Sequence, residues 1–353
     1  MLATRKRKVI FLTKYPPKGA SSRYRVYQYL PYFRNFYFKT QALQSDQSFE
    51  LMHTGGSIIK KVVYALKDYV NRTLFILTNL DADVIYMQRE IFAFGPLWAE
   101  RMFKFLGKKL ILDLDDALFI NKKNKNNPLK LDKASRVKGI IRRSDLVVAG
   151  NSWIRDECLK LGAKSAVHID VAEEVRFEGG ARVINKPLKA LWLGSPTTSK
   201  YLKLIEKSLK EVQDKMGLEV NIVGGDLNEV YEFSASCYVW SKETESHFLQ
   251  ISDIGLMPLP MESWSKGKCG GKARTYMASG LIPVVSNIGY NQDLIKHGVR
   301  GFLCNDSKDW INCLNLLCTN VELQHTIREL NFDYVRLNFK QSRIVKQLEL
   351  AIL

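Results

Sequence analysis

The densest chemistry in the sequence lies between Ser265 and Lys272, SKGKCGGK, where Lys266, Lys268 and Lys272 are interleaved with Gly267, Gly270 and Gly271 around Cys269. An apolar run, IGLMPL, precedes it, and a helix-forming stretch, GKARTYMAS, begins at about Gly271. Glycines leave backbone N–H groups open to close approach. A helix N-terminus adds the positive end of its dipole, and the lysines add full charges, so together they form a site for a phosphate-like anion. The alternative is a solvated basic loop ahead of an ordinary helix.

Two other strand-to-helix turns have related chemistry. In KALWLGSPTTSKYL the hydroxyls of Ser195, Thr197 and Thr198 can cap a helix or donate to a phosphate oxygen, and Lys200 adds charge. Plain capping by Thr198 or Ser199 explains the same residues. In LTKYPPKGASSRYR, small residues Gly19, Ala20, Ser21 and Ser22 lead into Arg23 and Arg25 at the start of a helix. Arginine there opposes the helix dipole, which fits guanidiniums that meet a phosphate or a carboxylate. A solvated pair on a surface turn is the alternative.

Asp113, Asp115 and Asp116 end the run KKLILDLDD, and Gln88, Arg89 and Glu90 follow an earlier apolar run. Three carboxylates in four residues repel unless paired, so some pKa should rise. The pattern admits a DxD metal site, the DxDx[TV] nucleophile of haloacid-dehalogenase phosphatases, or carboxylates that position an acceptor. Ala117 stands where the phosphatase pattern needs Thr or Val, and the lysines already supply the positive charge a metal would bring. Asp115 or Asp116 is read as a ligand-positioning carboxylate, with capping of the next helix as the structural alternative.

These residues sit on a regular alternation of strand and helix. Strands are expected at 8–13, 38–42, 84–88, 109–113, 146–150 and 166–169, separated by amphipathic helices at 24–33, 58–77, 94–105, 130–142 and 152–161. Residues 173–187, EEVRFEGGARVINKP, break the pattern and read as a linker. The alternation restarts with strands at 190–194, 218–223, 237–240, 254–258 and 282–285. Helices are expected at 199–215, 244–251, 271–279, 307–317, 321–337 and 341–351. The expected fold class is α/β, two doubly wound Rossmann-like domains facing a cleft. Their bounds are 1–175 for the first domain, 176–187 for the linker and 188–335 for the second domain. A C-terminal helix within 336–353 is expected to pack back on the first domain.

The 353 residues suffice for two such cores. Residues 1–180 hold 32 Lys and Arg against 18 Asp and Glu, whereas the remainder is nearly balanced at 21 against 18. The lopsided charge suggests a polyanionic partner for the first domain. Helix 58–77 has a broad apolar face with Lys60, Lys61, Lys67 and Arg72 on its polar side, and Lys122–Lys133 is a basic tract. Together they point to an anionic membrane surface, the alternative being a core helix with a solvated face. No recognition-helix motif or basic-aromatic interleaving supports nucleic acid. No apolar run reaches spanning length, and six scattered cysteines without a CxxC pair suit reduced thiols in a cytoplasmic setting.

The order D-I-G-L-M-P, then K-A-R-T-Y-M-A-S-G-L-I-P-V-V-S, then G-V-R-G-F-L resembles the donor-binding segment of retaining GT-B glycosyltransferases, family 4 in particular. The resemblance implies a nucleoside-diphosphate sugar as substrate, its diphosphate held by Ser265 to Lys272, and no metal or other cofactor. It implies that the 189–202 loop and the Gly19–Arg23 loop border the donor phosphates and reaction centre, with Ser195, Thr197, Gly19, Ser22 and Arg23 as contacts. Trp240 falls where the family holds the base through backbone, although its indole reads equally well as core. In such enzymes the leaving phosphate takes the acceptor's proton, so Lys268 would act with Asp115 and Asp116 in catalysis without a protein nucleophile. The family's Glu-x7-Glu motif falls on Gly267 and Thr275, neither acidic. The chain instead resembles a bacterial polysaccharide-type subgroup with W-S-K-G-K-C-G-x-K at this point, whose acceptors are growing glycans or lipid-linked saccharides. A nucleotide-sugar epimerase on the same fold, or a non-catalytic scaffold with a degenerate donor site, remain the alternatives.

Overall fold

The computed structural model describes residues 5–54, 57–120, 132–177 and 186–353. Most of the expected linker and of the basic tract Lys122–Lys133 lies outside them. The chain divides into one unit of residues 1–172 and 341–353 and a second unit of residues 173–340.

The first unit is a parallel sheet of β1 (Lys8–Thr13), β2 (Tyr37–Ala42), β3 (Val84–Gln88), β4 (Lys109–Leu114), β5 (Leu146–Ala149) and β6 (Ala166–His168), in the order β2-β1-β3-β4-β5-β6. Its helices are α1 (Ala20–Arg25), α2 (Asp46–Thr54), α3 (Ile58–Leu77), α4 (Trp98–Phe105), α5 (Lys133–Arg143) and α6 (Ser152–Lys160). β1, β3, β4 and β5 are apolar and buried almost throughout, as parallel strands covered on both faces must be. The helix expected at 24–33 differs. α1 stops at Arg25 and a 3-10 turn over Tyr27–Tyr32, with Pro31 inside it, replaces the rest, because proline supplies no N–H to continue an α-helix. α4 likewise begins only at Trp98, beyond Gly95 and Pro96.

The second unit is a parallel sheet of β7 (Lys189–Leu193), β8 (Glu219–Val223), β9 (Ser236–Tyr238), β10 (Ile254–Met257), β11 (Ile282–Ser286) and β12 (Phe302–Cys304), in the order β12-β11-β10-β7-β8-β9. Its helices are α7 (Pro196–Ser199), α8 (Glu206–Met216), α9 (Lys242–Ile251), α10 (Ser263–Lys266), α11 (Gly271–Ala278), α12 (Tyr290–Leu294), α13 (Ser307–Thr319) and α14 (Val321–Asn338). Alternate residues along the strands feed two cores. Ala190, Trp192, Val220, Ile222 and Val284 pack on one face, and Leu191, Leu193, Val223 and Val285 on the other. The single helix expected at 199–215 is broken into α7, a 3-10 turn at Lys200–Leu204 and α8. β12 has only three residues, too few to show periodicity in the sequence. The last helix, α15 (Gln341–Ile352), belongs to the first unit, where Ile344, Val345, Leu348 and Ile352 join the core around Phe11 and Tyr86.

Candidate functional site

In an open α/β sheet, ligands gather at the carboxyl ends of the strands where the order reverses, because the loops on either side of that point diverge. In the second unit the reversal lies between β7 and β10, and the lysine–glycine segment falls there. Tyr276 of α11 ties the helix to both strands. Its hydroxyl accepts from the Leu193 N–H at 3.0 Å and donates to the Leu256 carbonyl at 3.2 Å. Gly255 makes this contact possible, since a Cβ there would lie 2.1 Å from the Tyr276 ring.

The N-terminus of α11 is open on one side and braced on the other. Gly270 adopts φ +60°, and a Cβ on it would come within 2.9 Å of Tyr290, so both the backbone and the space demand glycine. A Cβ on Gly271 would meet nothing within 4 Å. Folding therefore leaves this second glycine unexplained, whereas close approach of a ligand to its N–H explains it. Behind the loop, the buried Arg274 donates to the Cys269 carbonyl at 2.7 Å, and the Lys266 backbone packs against Gly289. The Lys268 ammonium lies 5.2 Å from the Trp264 ring centre. Lys272 is half-buried with its ammonium 4.1 Å from the Trp192 ring. Burial, aided by the neighbouring charge of Lys268, lowers its pKa to about 7. A lysine held this way gains most from a nearby anion.

The turn after β7 shares this end of the sheet. Ser195 and Thr197 are exposed with their hydroxyls 3.0 Å apart, and the Ser195 N–H donates to Thr198 Oγ1 at 3.4 Å. Gly224, at φ +77°, lets the β8 loop pass between the Gly194 carbonyl and Trp240. The Trp240 indole is exposed at 45% and donates to Glu245 at 2.6 Å, so the core alternative for it does not hold. Thr275 is not left with an empty neighbourhood. Glu173 reaches it from 102 residues away and accepts from its hydroxyl at 3.4 Å. Glu173 also pairs with Arg176 at 3.0 Å, and burial pushes its carboxyl up against the pull of Arg176 and Arg274.

The first unit has its own reversal, between β1 and β3, and a polar cluster occupies it. Asp115 receives both a two-pronged bond from Arg89, at 2.8 and 3.0 Å, and the Ser21 hydroxyl. Arg89 also pairs with Asp116 at 3.4 Å. Gln88 organises the loop by donating to Ser21 at 2.7 Å and accepting from Ser22 and the Lys14 N–H. Arg89 holds φ +70°, an unusual conformation for a residue with a side chain and a form of strain that marks functional sites. Burial by itself would raise the Asp115 carboxyl, but the Arg89 guanidinium brings it down to about 2. The carboxyl that burial does raise is Asp113, which is fully enclosed and bonded to Arg25 and Tyr86. The expected mutual perturbation of the three aspartates is thus split, with one raised and one lowered.

The structure gathers Gly19, Ser21, Ser22 and Asp115 around one loop, but with different exposures. Gly19 is buried because a Cβ would meet Tyr15 at 2.4 Å. Ser22 is fully enclosed, its hydroxyl committed to Gln88 and the Tyr15 N–H. Arg23 is half-buried and lies over Tyr24. Arg23 and Arg25 lie in the last turn of the short α1, not in a first turn, so the expected conflict with the helix dipole does not arise; Arg25 meets a carboxylate inside the protein, Asp113. Among the described residues no group of three or more His, Cys, Asp or Glu is arranged to hold a metal ion.

Residues 187–320 match the family model described as Glycosyl transferases group 1. The match makes this stretch similar to a glycosyl transferases group 1 domain. The stretch covers the β7 turn, Trp240 and the whole lysine–glycine segment. Over 98% of both chains, the structure resembles HepE from Anabaena solved with UDP-glucose (TM-score 0.67, 13% identity) and sucrose-phosphate synthase from Thermosynechococcus elongatus (TM-score 0.68, 11% identity). A glycosyltransferase from Rickettsia africae matches with TM-score 0.65 at 15% identity, again over 98% of each chain. At these identities the likeness is one of fold, the two-domain GT-B architecture. No curated protein matches the sequence.

Three residues of the two clusters, Glu173 in the second unit and Gln88 and Arg89 in the first, were not legible in the sequence. Glu173 sits in a stretch that reads as linker, and only the fold brings it to Thr275. Gln88 and Arg89 were visible as polar residues after a strand, but nothing local signals that they hold Ser21 and Asp115.

Proposed function

We propose that the chain transfers a sugar, with retention, from a nucleoside-diphosphate donor to a hydroxyl of a growing surface glycan or lipid-linked saccharide. The observation that carries this reading is the open N-terminus of α11, with Gly271, Lys268 and Lys272 at the strand-order reversal of the glycosyltransferase domain. The diphosphate would lie on the α11 N–H groups between Lys266, Lys268 and Lys272, with Ser195 and Thr197 as further donors and Cys269 and Gly270 forming the floor. The Trp240 backbone would border the base. Glu173, beside Thr275, supplies a carboxylate suited to a ribose diol.

In the reaction, the acceptor oxygen bonds to the anomeric carbon as the bond from that carbon to the β-phosphate oxygen breaks. The electron pair leaves with the diphosphate, and the acceptor's proton passes to a leaving phosphate oxygen. The lysines and the helix dipole stabilise charge that grows on that diphosphate, which is electrostatic catalysis. Asp115, held as an anion by Arg89, and Asp116 would orient the acceptor hydroxyl. No cofactor is needed for these steps.

We also place the enzyme on the cytoplasmic face of an anionic membrane. No helix among the described residues is long and apolar enough to cross a bilayer. The support is α3, which is turned opposite to a core helix. Asp68, Arg72 and Ile76 are its buried residues, while Ile58, Ile59, Val62, Leu66 and Leu74 are exposed. Arg72 does not join the outer lysines, being enclosed and donating to the Thr13 carbonyl at 2.6 Å. At about 100° per residue, Lys60 and Lys67 flank the outward apolar stripe.

The test is nucleotide release from UDP-, GDP- and dTDP-sugars with and without membrane extract as acceptor. Release that requires acceptor supports the transferase. Inversion of the sugar without acceptor indicates the epimerase, and absence of donor binding indicates a scaffold.

A further inference from the structure

Beneath α3 lies a cavity of about 110 Å³ that the steps above do not use. It opens among the loops after β1, β2 and β3, between α2 and α3. Leu51, Met52, Ala65, Tyr69 and Phe94 give it mostly apolar walls, and Lys14, Gln44, Ser48, Lys61 and Asp68 give it a polar end. The size is roughly that of one branched five-carbon unit. Its rim includes Met52 and Phe94, which are 62% and 53% exposed, and its roof is the helix with the outward apolar stripe.

The charges at the polar end are unequally satisfied. Lys14 is paired with Glu90 at 2.8 Å, and Asp68 accepts from the Ser48 hydroxyl and the Ser45 N–H. Lys61 has no ion-pair partner among the described residues, although it lies on the inward side of α3. Gln44 Oε1 is buried without a hydrogen-bond donor. The cavity thus combines apolar walls, one uncompensated cation and one acceptor lacking a donor. Its inner end joins the reaction-side cluster directly, because Glu90 is the neighbour of Arg89, which holds Asp115.

We infer that this cavity seats the lipid of the acceptor: the first branched hydrocarbon unit lies between α2 and α3, with its phosphate at Lys61 and a hydroxyl of its headgroup donating to Gln44. The inference rests on the lipid-linked acceptor of the proposed function and adds an isoprenoid-like alkyl phosphate as its chemical class. The remaining hydrocarbon would run out along the apolar stripe into the bilayer. The headgroup sugar would then lie on the Asp115 side.

Calorimetric titration with geranyl monophosphate, below its aggregation concentration, tests this on the full chain. One saturable site is expected, with geraniol at least tenfold weaker and inorganic phosphate undetectable. Lys61→Glu should weaken geranyl phosphate at least tenfold, and Ala65→Trp, which fills the cavity, should abolish it. Leu66→Glu, on the outward stripe, should leave binding within twofold. Equal binding of geraniol, undiminished binding by Ala65→Trp and Lys61→Glu, or no binding at all overturns the inference. So does loss of binding in Leu66→Glu alone, which would put the ligand on the surface. UDP titrated into the same preparations reports folding and the donor site. Retained UDP binding with failed geranyl phosphate binding removes the cavity assignment alone, whereas lost UDP binding in the unaltered chain removes the transferase reading instead.

Discussion

The Glu173 carboxylate accepts a hydrogen bond from the Thr275 hydroxyl at 3.4 Å, across 102 residues of sequence. A position that lacks its own acid thereby gains one through the fold. Glu173→Gln should raise the Kd for UDP about tenfold, or about 1.4 kcal/mol, within the range for a hydrogen bond to a charged group. Inorganic pyrophosphate, which has no ribose, should bind the variant as it binds the parent. Titration calorimetry with both ligands distinguishes a ribose contact from a general disturbance of the site.

Gly270 and Gly271 are adjacent, yet their substitution should separate folding from binding. Gly270→Ala forces a side chain to φ +60° and into Tyr290, at a cost of about 1–2 kcal/mol in stability. Gly271→Ala meets open space and should leave Tm unchanged or slightly raised. If a phosphate approaches that N–H, Gly271→Ala should nonetheless weaken nucleotide-sugar binding at least tenfold. Thermal melts beside UDP-glucose titrations check both halves.

Lys272 gives the donor site a pH dependence. Burial and Lys268 lower its pKa to about 7, and a bound anion would raise it again. Donor affinity should therefore be greatest below pH 7 and fall as the pH rises above it, by up to tenfold per unit. A sugar diphosphate diester has no proton of its own in this window, so UDP-glucose is the suitable ligand between pH 6 and 9. Lys272→Arg, charged throughout, should flatten the profile.

Asp115 offers a test in the opposite direction. Its folded pKa of about 2 lies below the ordinary carboxylate value of about 3.9. Its ionised form thus contributes stability that is fully present above about pH 4 and is lost as pH falls through 2, roughly 2–3 kcal/mol in all. Asp115→Asn should lack that part of the acid transition. Arg89→Ala, which leaves the carboxylate without its cation, should cost about 3 kcal/mol at neutral pH. Urea unfolding between pH 2 and 7 measures both.

The fold was legible in the sequence wherever buried parallel strands produced apolar runs, as at Val84–Gln88 and Ile254–Met257. It was illegible where an element is too short for periodicity, as in β12, or where Pro31 turns a helical pattern into a 3-10 turn. For the candidate site, the glycines and lysines of 265–272 announce themselves because one loop contains the whole pattern. Glu173 and the Gln88–Ser21 bond join residues distant in sequence, so no local spacing encodes them. The orientation of α3 was half legible. Its amphipathicity can be read from the sequence, but which face the protein buries depends on Asp68 meeting Ser48 and on Arg72 meeting the Thr13 carbonyl.

The proposed membrane association rests on that orientation. Flotation with vesicles of mixed neutral and anionic lipid should recover the protein with the vesicles, and neutral vesicles should recover much less. Leu66→Glu should abolish flotation without altering Tm, since Leu66 is 63% exposed. Recovery of Leu66→Glu at the parent's level removes α3 as the docking element.

The lysines around the start of α11 are proposed to hold the diphosphate of a nucleotide sugar. Calorimetric titration of UDP-, GDP- and dTDP-glucose into the parent and Lys268→Ala tests it most directly. Saturable binding of at least one donor by the parent is expected, with every bound donor weakened by about tenfold or more in Lys268→Ala and Tm unchanged. Equal affinities in the two proteins, or no binding of any donor by the parent, would contradict it.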